Sequence, residues 1–300
     1  MNGRNLPRLC FIGFGEAGQA IASGLREGGI VTVAAWDILF PEPEGAPLKA
    51  AAERHGVRIA DSAEDAMRGA TLIISAVTAA SSFEAAQSVE PHLAGNPFYL
   101  DINSVSPGRK QASAKLLGDR ARYVDVAVVA PIHPARHRTP MMLAGPHAEA
   151  VAPILQSFDM KVPVVGSLTG DAAAIKMVRS VMIKGIEALT AECFVAAARA
   201  GVTDQVAKSL SNNYPDVDWA KMIDYNLERM ASHGARRAAE MEQVADTLKE
   251  LGVEPLMTNG TIARQREMGQ IGRVPAVKST LDQGLAPMLS AISKAAQDRH

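Results

Sequence analysis

The chain of 300 residues has only two cysteines, Cys10 and Cys193, and no excess of either charge, since 31 lysines and arginines stand against 32 aspartates and glutamates. Two thiols far apart in sequence, each in an apolar segment, exclude a disulfide framework and read as buried thiols in a reducing compartment. The formal net charge of −1 excludes a global field that would draw nucleic acid or an anionic membrane, so any anion must be bound locally. No apolar run approaches the roughly 20 residues needed to span a bilayer, and residues 1–8 lack the apolar core of a signal peptide. A cytoplasmic location is therefore expected. Internal repeats and low-complexity tracts are also missing.

What is present is an alternation. Short β-branched or apolar runs at 9–14, 30–36, 57–60, 71–77, 98–103, 123–129, 141–144 and 161–165 are separated by alanine-rich helical segments. That order predicts a parallel sheet with helices on both faces, its first five or six strands forming the parallel core. After Gly170 the strand signal stops, and apolar residues recur at helical spacing over 172–200, 202–212, 219–251, 259–269 and 278–296. Gly252 and Pro255 close the longest of these helices, a glycine after the last turn and a proline beyond it. Two domains are expected, 1–167 and 168–300, each long enough to bury its own core.

Between the first strand and the first helix stands Gly13-Phe14-Gly15-Glu16-Ala17-Gly18. The G-x-G-x-x-G spacing is common in isolation, but here it follows an apolar strand and opens a helix, the context that dinucleotide binding requires. Gly13 would permit the tight turn, Gly15 the approach of a pyrophosphate, and Gly18 close packing of helix on strand. Asp37 ends the second strand, 19 residues after Gly18, where a carboxylate can accept from the adenosine ribose hydroxyls. Its charge would repel a 2′-phosphate, and Ile38, Leu39 and Phe40 offer no cation to hold one, so NAD is favoured over NADP. The expected cofactor contacts are Gly13, Phe14, Gly15, Glu16, Ala17, Gly18, Asp37, Val77, Thr78 and Asn103.

Asp101-Ile102-Asn103-Ser104-Val105-Ser106-Pro107 follows the fifth strand and opens a helix, which puts Asn103 and Ser104 at the carboxyl edge of the sheet, where such sheets bind ligands. Ser106 and Pro107 read as a helix cap and first turn. In the segment that begins at Gly170, Lys176, Arg179, Ser180 and Glu187 share one face, while Ile175, Val178, Val181, Met182, Ile186 and Leu189 occupy the others. A helix apolar over most of its circumference is expected to be buried, where a lysine is costly unless it has a task. Taken alone, the polar face reads first as a solvated stripe.

Together these segments resemble the β-hydroxyacid dehydrogenase superfamily, which includes 6-phosphogluconate and 3-hydroxyisobutyrate dehydrogenases. The glycine loop is similar to that family's cofactor motif, Asp101 to Pro107 to its D-x-S-T-x-S-P substrate loop, and Gly170 to Ser180 to its G-x-x-x-x-x-K-x-x-x-N catalytic helix. The resemblance implies a Rossmann-type dinucleotide-binding domain followed by an all-helical C-terminal domain, Lys176 as general acid/base with the Arg179 cation beside it to favour the neutral amine, Asn103, Ser104 and Ser180 to orient the substrate, and a homodimer. Two departures stand out. Ser180 replaces the family's asparagine, and Val129-Ala130-Pro131 replaces its S-G-G substrate loop, which leaves the substrate open. The basic run after it, with His133, Arg136, His137 and Arg138, reads either as a loop that holds an acidic substrate or as a solvated one. No metal is expected, because Pro131 and Pro134 oppose a helix that would present both histidines and no third ligand is evident. The activity so implied is hydride transfer between NAD and a small hydroxy acid, with reduction of a bulkier carbonyl or imine, or silent NAD sensing, as alternatives.

Overall fold

The computed structural model describes residues 6–30 and 32–298; Val31, inside the strand expected at 30–36, lies outside them, as do residues 1–5, 299 and 300. The chain forms two compact units, Met1–Lys176 and Met177–His300.

In the first unit eight strands form one sheet: β1 (Leu9–Ile12), β2 (Val33–Trp36), β3 (Arg58–Ile59), β4 (Leu72–Ser75), β5 (Phe98–Asp101), β6 (Arg122–Val128), β7 (Met141–Ala144) and β8 (Val164–Gly166). Their order is β3-β2-β1-β4-β5-β6-β7-β8, parallel through β6, with β7 antiparallel to β6. The helices between them are α1 (Glu16–Glu27), α2 (Ala46–Arg54), α3 (Ala63–Met67), α4 (Ser82–Val89), α5 (Pro107–Leu117) and α6 (Ala148–Gln156). The strand order reverses between β1 and β4, and ligands of such sheets bind in the crevice beyond the strand ends there. Helices on both faces explain why β1, β4 and β5 are buried along their whole length. Alternate residues feed two cores: Phe11, Ile74 and Leu100 face one side with Ile21 and Leu25 of α1, while Cys10, Ile73 and Tyr99 face the other with Leu117. Burial pushes the Cys10 thiol up to about 12.

The boundary between the units falls inside α7 (Asp171–Ala200), a few residues past the loop near 167. The first turn of α7 belongs to the sheet unit because Ala172 packs against Ala127 and Ala144, and Asp125 of β6 holds its backbone.

The second unit is all helical, with the rest of α7, α8 (Thr203–Asn213), α9 (Trp219–Glu250), α10 (Leu256–Ile271), α11 (Pro275–Lys278) and α12 (Leu285–Gln297). Phe194, Leu227, Met230, Met268, Met288 and Ile292 form its core. Helices α9 and α10 touch backbone to backbone, since a Cβ on Gly234 of α9 would stand 2.6 Å from the Gly269 nitrogen of α10. The helix expected at 278–296 begins only at Leu285: Lys278 ends α11, and Gly284, at φ +84°, turns the chain before α12.

Two expectations about α7 are corrected. Its apolar residues are not all buried: Val178, Met182 and Leu189 are 47%, 65% and 59% exposed, because one copy of the unit covers a single side of the helix. Cys193 lies on the uncovered part and is exposed rather than buried. Among the described residues no helix is long and apolar enough to cross a membrane.

Candidate active site

β1 ends in a turn that only glycine can make. Gly13 has φ +88°, its N–H donates to the Trp36 carbonyl at 2.8 Å, and a side chain there would run into the Ala76 carbonyl and Val77. Gly18 brings α1 against this turn, since a Cβ on it would stand 2.8 Å from the Gly13 oxygen. Gly15 differs from both, because nothing lies within 4 Å of where its Cβ would be. It is the N-cap of α1 and supplies no side-chain cap, so the first N–H groups of the helix stay open to an anion. Glu16 is exposed and Ala17 half-buried beside this opening. The cradle therefore fits a dinucleotide pyrophosphate at Gly15.

Phe14 is fully buried, so only its backbone faces the loop, and its N–H donates to Asp37 Oδ2 at 2.7 Å. Asp37 Oδ1 accepts from Leu39 N–H at 3.0 Å. A carboxylate has about four lone-pair sites, so Asp37 can brace the glycine loop and still accept from ribose hydroxyls. Ile38 beside it is exposed.

At the end of β5 the Asp101 Oδ1 accepts the Asn103 N–H at 2.9 Å and so shapes the turn. Asn103 is itself buried. Its Oδ1 accepts from Val77 N–H at 2.7 Å and its amide donates to Ser75 Oγ at 2.9 Å, so the side chain ties β4 to β5 instead of standing free in the crevice. Val77 is half-buried and Thr78 exposed just past β4, the Thr78 hydroxyl 3.1 Å from that of Ser81. Ser106 caps α5 through the Arg109 N–H. Ser104, left between the turn and the cap, is half-buried, and its hydroxyl accepts a hydrogen bond from the Lys176 amine. The structure thus joins the segment after β5 to the helix that begins past Gly170, 72 residues apart in sequence.

Lys176 reaches Ser104 because α7 starts at a defined point. Asp125 Oδ2 accepts from Gly170 N–H at 3.1 Å and Ala173 N–H at 3.0 Å, capping α7 from another element. Sequence reasoning missed Asp125, Asp101 and Lys110. A signal existed: Tyr99-Leu100-Asp101 and Tyr123-Val124-Asp125 repeat one pattern in adjacent strands, and the register pairs Tyr99 with Tyr123 and Asp101 with Asp125. The tyrosines stack, and burial pushes both phenols well up.

In the helical unit Arg179 is exposed and Ser180 buried. Ser180 Oγ accepts from Lys184 Nζ at 3.3 Å, and Lys184 pairs with Glu240 at 3.1 Å. Burial holds the Lys184 amine below its ordinary value. Glu187, three residues on, is bound by Arg237 and by Gln265 at 2.9 Å. Of the polar face of α7 beyond Lys176, Ser180 and Glu187 therefore belong to an internal network, while Arg179 is exposed.

In the basic run after β6, His133 and Arg138 are exposed, and the cations of Arg136 and Arg138 are paired within the protein. Arg136 donates both ends of its guanidinium to Glu27 of α1, each at 2.6 Å, and Arg138 pairs with Asp159 at 3.1 Å. Between them His137 is buried against Gly24 of α1, where any side chain would collide with the imidazole. Burial, reinforced by Arg138 and Arg136, lowers the His137 pKa. This segment braces the helix that starts at the glycine loop.

A family model described as the NAD binding domain of 6-phosphogluconate dehydrogenase matches residues 8–166, and a domain of unknown function, DUF1932, matches residues 197–268. A conserved hypothetical protein from Sinorhizobium meliloti is 33% identical, with a TM-score of 0.75 and 96% of each chain covered. The conserved protein MTH1747, whose structure is described as similar to 3-hydroxyacid dehydrogenases, is 30% identical, with a TM-score of 0.72 over 89% of this chain and 98% of that one. A Mycobacterium tuberculosis 3-hydroxyisobutyrate dehydrogenase solved with L-serine shares the fold, at 16% identity and a TM-score of 0.70 over 96% of this chain and 99% of its own.

Proposed function

Because the chain belongs to the family that carries the NAD-binding domain of 6-phosphogluconate dehydrogenase, we propose that it is an NAD-dependent oxidoreductase acting on the alcohol carbon of a small hydroxy acid, with Lys176 as general base. The observation that carries this reading is the hydrogen bond from Lys176 to Ser104 at the carboxyl edge of the sheet. A neutral amine that donates one N–H to Ser104 keeps its lone pair for the substrate hydroxyl proton. Bound nicotinamide would supply the acceptor for the hydride that leaves the same carbon. In the reverse direction the protonated Lys176 returns its proton to the carbonyl oxygen. Asn103 holds the loop on which Ser104 sits, and Arg179 and Ser180, on the next turn of α7, are read as groups that orient the acid.

Asp37 supports NAD over NADP, since a carboxylate at the ribose opposes a 2′-phosphate and exposed Ile38 offers no counter-charge. The uncovered stripe of Val178, Met182, Ile186 and Leu189 on α7 supports a homodimer. The deciding experiment is absorbance at the reduced-nicotinamide band with NAD and a panel of small hydroxy acids, 3-hydroxyisobutyrate and L-serine among them. Turnover of a panel member that disappears in Lys176→Ala supports the reading. Turnover that persists in that variant removes Lys176 as the base.

A further inference from the structure

Below the candidate site lies a charge cluster that the reaction does not use. Asp101 and Asp125 are register partners on β5 and β6, both 1% exposed or less, and Lys110 of α5, 1% exposed, stands over them. Its Nζ is 3.1 Å from Asp101 Oδ1 and 3.5 Å from Asp125 Oδ1, and it donates to the Asp101 carbonyl at 2.5 Å. Among the described residues it is the cation paired with either acid.

Each acid holds one arm of the site. Asp101 accepts from Asn103 N–H and, at 2.7 Å, from Tyr123 Oη, which sets the turn leading to Ser104. Asp125 caps α7, and Lys176 follows Ala173 by three residues, one helical turn. Two carboxylates on neighbouring strands in a medium of low dielectric repel strongly, and neither can do its task uncharged as well as charged. One ammonium between them lets both stay ionised at adjacent positions. The contacts then close a ring: Ser104 to Asp101 along the chain, Asp101 to Lys110 to Asp125, Asp125 to the start of α7, and Lys176 back to Ser104.

We propose that Lys110 is a positioning residue that sets Lys176 on Ser104 by holding Asp101 and Asp125 side by side. The proposal rests on the reading of Lys176 as the base for its consequence in turnover, but the geometry it asserts is measurable without a substrate.

The test is Lys110→Met, which keeps the length of the side chain and removes its charge, beside Leu117→Ala, a core variant on the same helix that alters no charge. Hydrogen exchange at the amides of residues 172–176 and the pH titration of the Lys176 side chain by carbon NMR are read together with NADH affinity. In Lys110→Met these amides exchange about tenfold faster or more, the Lys176 midpoint moves by about half a unit or more, and NADH affinity is kept. Leu117→Ala, which loses stability generally, leaves the Lys176 midpoint at the wild-type value. If Lys110→Met does not fold, Lys110→Gln, which keeps a donor for the Asp101 carbonyl without the charge and leaves Asp125 in place, shows the same faster exchange and the same displaced midpoint. Wild-type exchange and midpoint in the variant that folds, or equal displacement in Leu117→Ala, overturn the proposal. Lys176→Ala with unchanged turnover removes the parent reading and leaves these measurements standing.

Discussion

The Lys176 amine donates to the Ser104 hydroxyl across 72 residues of sequence, which ties the second turn of α7 to the loop after β5. Replacing Lys176 by alanine is expected to lower turnover by roughly 10²–10⁴, the usual contribution of a positioned acid or base, and to leave NADH affinity within about threefold. Ser104→Ala, which removes one hydrogen bond to the amine, should cost about tenfold in turnover. Steady-state rates and a fluorescence titration with NADH check both.

Gly15 and Gly13 separate cofactor binding from folding. Gly15 has φ −71° and open space where a Cβ would go, so Gly15→Ala should melt at the wild-type temperature while NADH binds about tenfold or more weakly. Gly13→Ala faces φ +88° and a collision with the Ala76 carbonyl, so it should lower the melting temperature itself. Equal NADH affinity in Gly15→Ala and wild type would mean that no pyrophosphate passes there.

Cofactor choice should follow Asp37. Asp37→Ser with Ile38→Arg removes the repelling charge and adds a cation at a site already 72% exposed, so the arginine costs no burial. The ratio of NADPH to NADH affinity should rise by about tenfold or more. Tighter binding of NADP than NAD by the wild-type protein would refute the assignment.

Acid should loosen the first unit through His137. Its folded pKa lies below the ordinary 6.5, because the ring is buried and Arg138 and Arg136 flank it, against which Asp159 and Glu27 act more weakly. Between the lowered value and 6.5 the unfolded chain binds more protons than the folded one, so stability falls as pH falls through that window and levels off above it. Melting temperatures measured from pH 7.5 to 5.5 should show this slope, and His137→Gln should reduce it.

A dimer is expected to depend on the outer stripe of α7. Met182→Glu with Leu189→Glu places two charges on a surface that is already 65% and 59% exposed in one copy. The double variant should keep its helical content and run as a monomer by light scattering at micromolar concentration, where the wild-type protein should run as a dimer. A monomeric wild-type mass would end this reading.

Backbone chemistry and hydrophobic period were legible without the fold. The eight strands follow from apolar runs broken by glycine and proline, because a sheet covered on both faces needs continuous apolar strands, and the roles of Gly13 and Gly18 follow from the sterics of one local turn. The break at Gly284 was missed, since a left-handed residue between two helical patterns leaves the periodicity on either side intact.

Long-range pairing decided the rest. Nothing local in the sequence says that Asn103 is tied inward to Ser75 and Val77 while Ser104 meets Lys176, because consecutive residues of a turn point in different directions and only the neighbouring strand and helix select which is used. The charges of Arg136, Arg138 and Lys110 show the same thing. In sequence each is a cation, and only the fold brings Glu27 and Asp159 to the first two and sets Asp101 beside Asp125 under the third. A side chain's charge is a property of its residue type, but its partner is fixed by the packing of elements far apart in the chain.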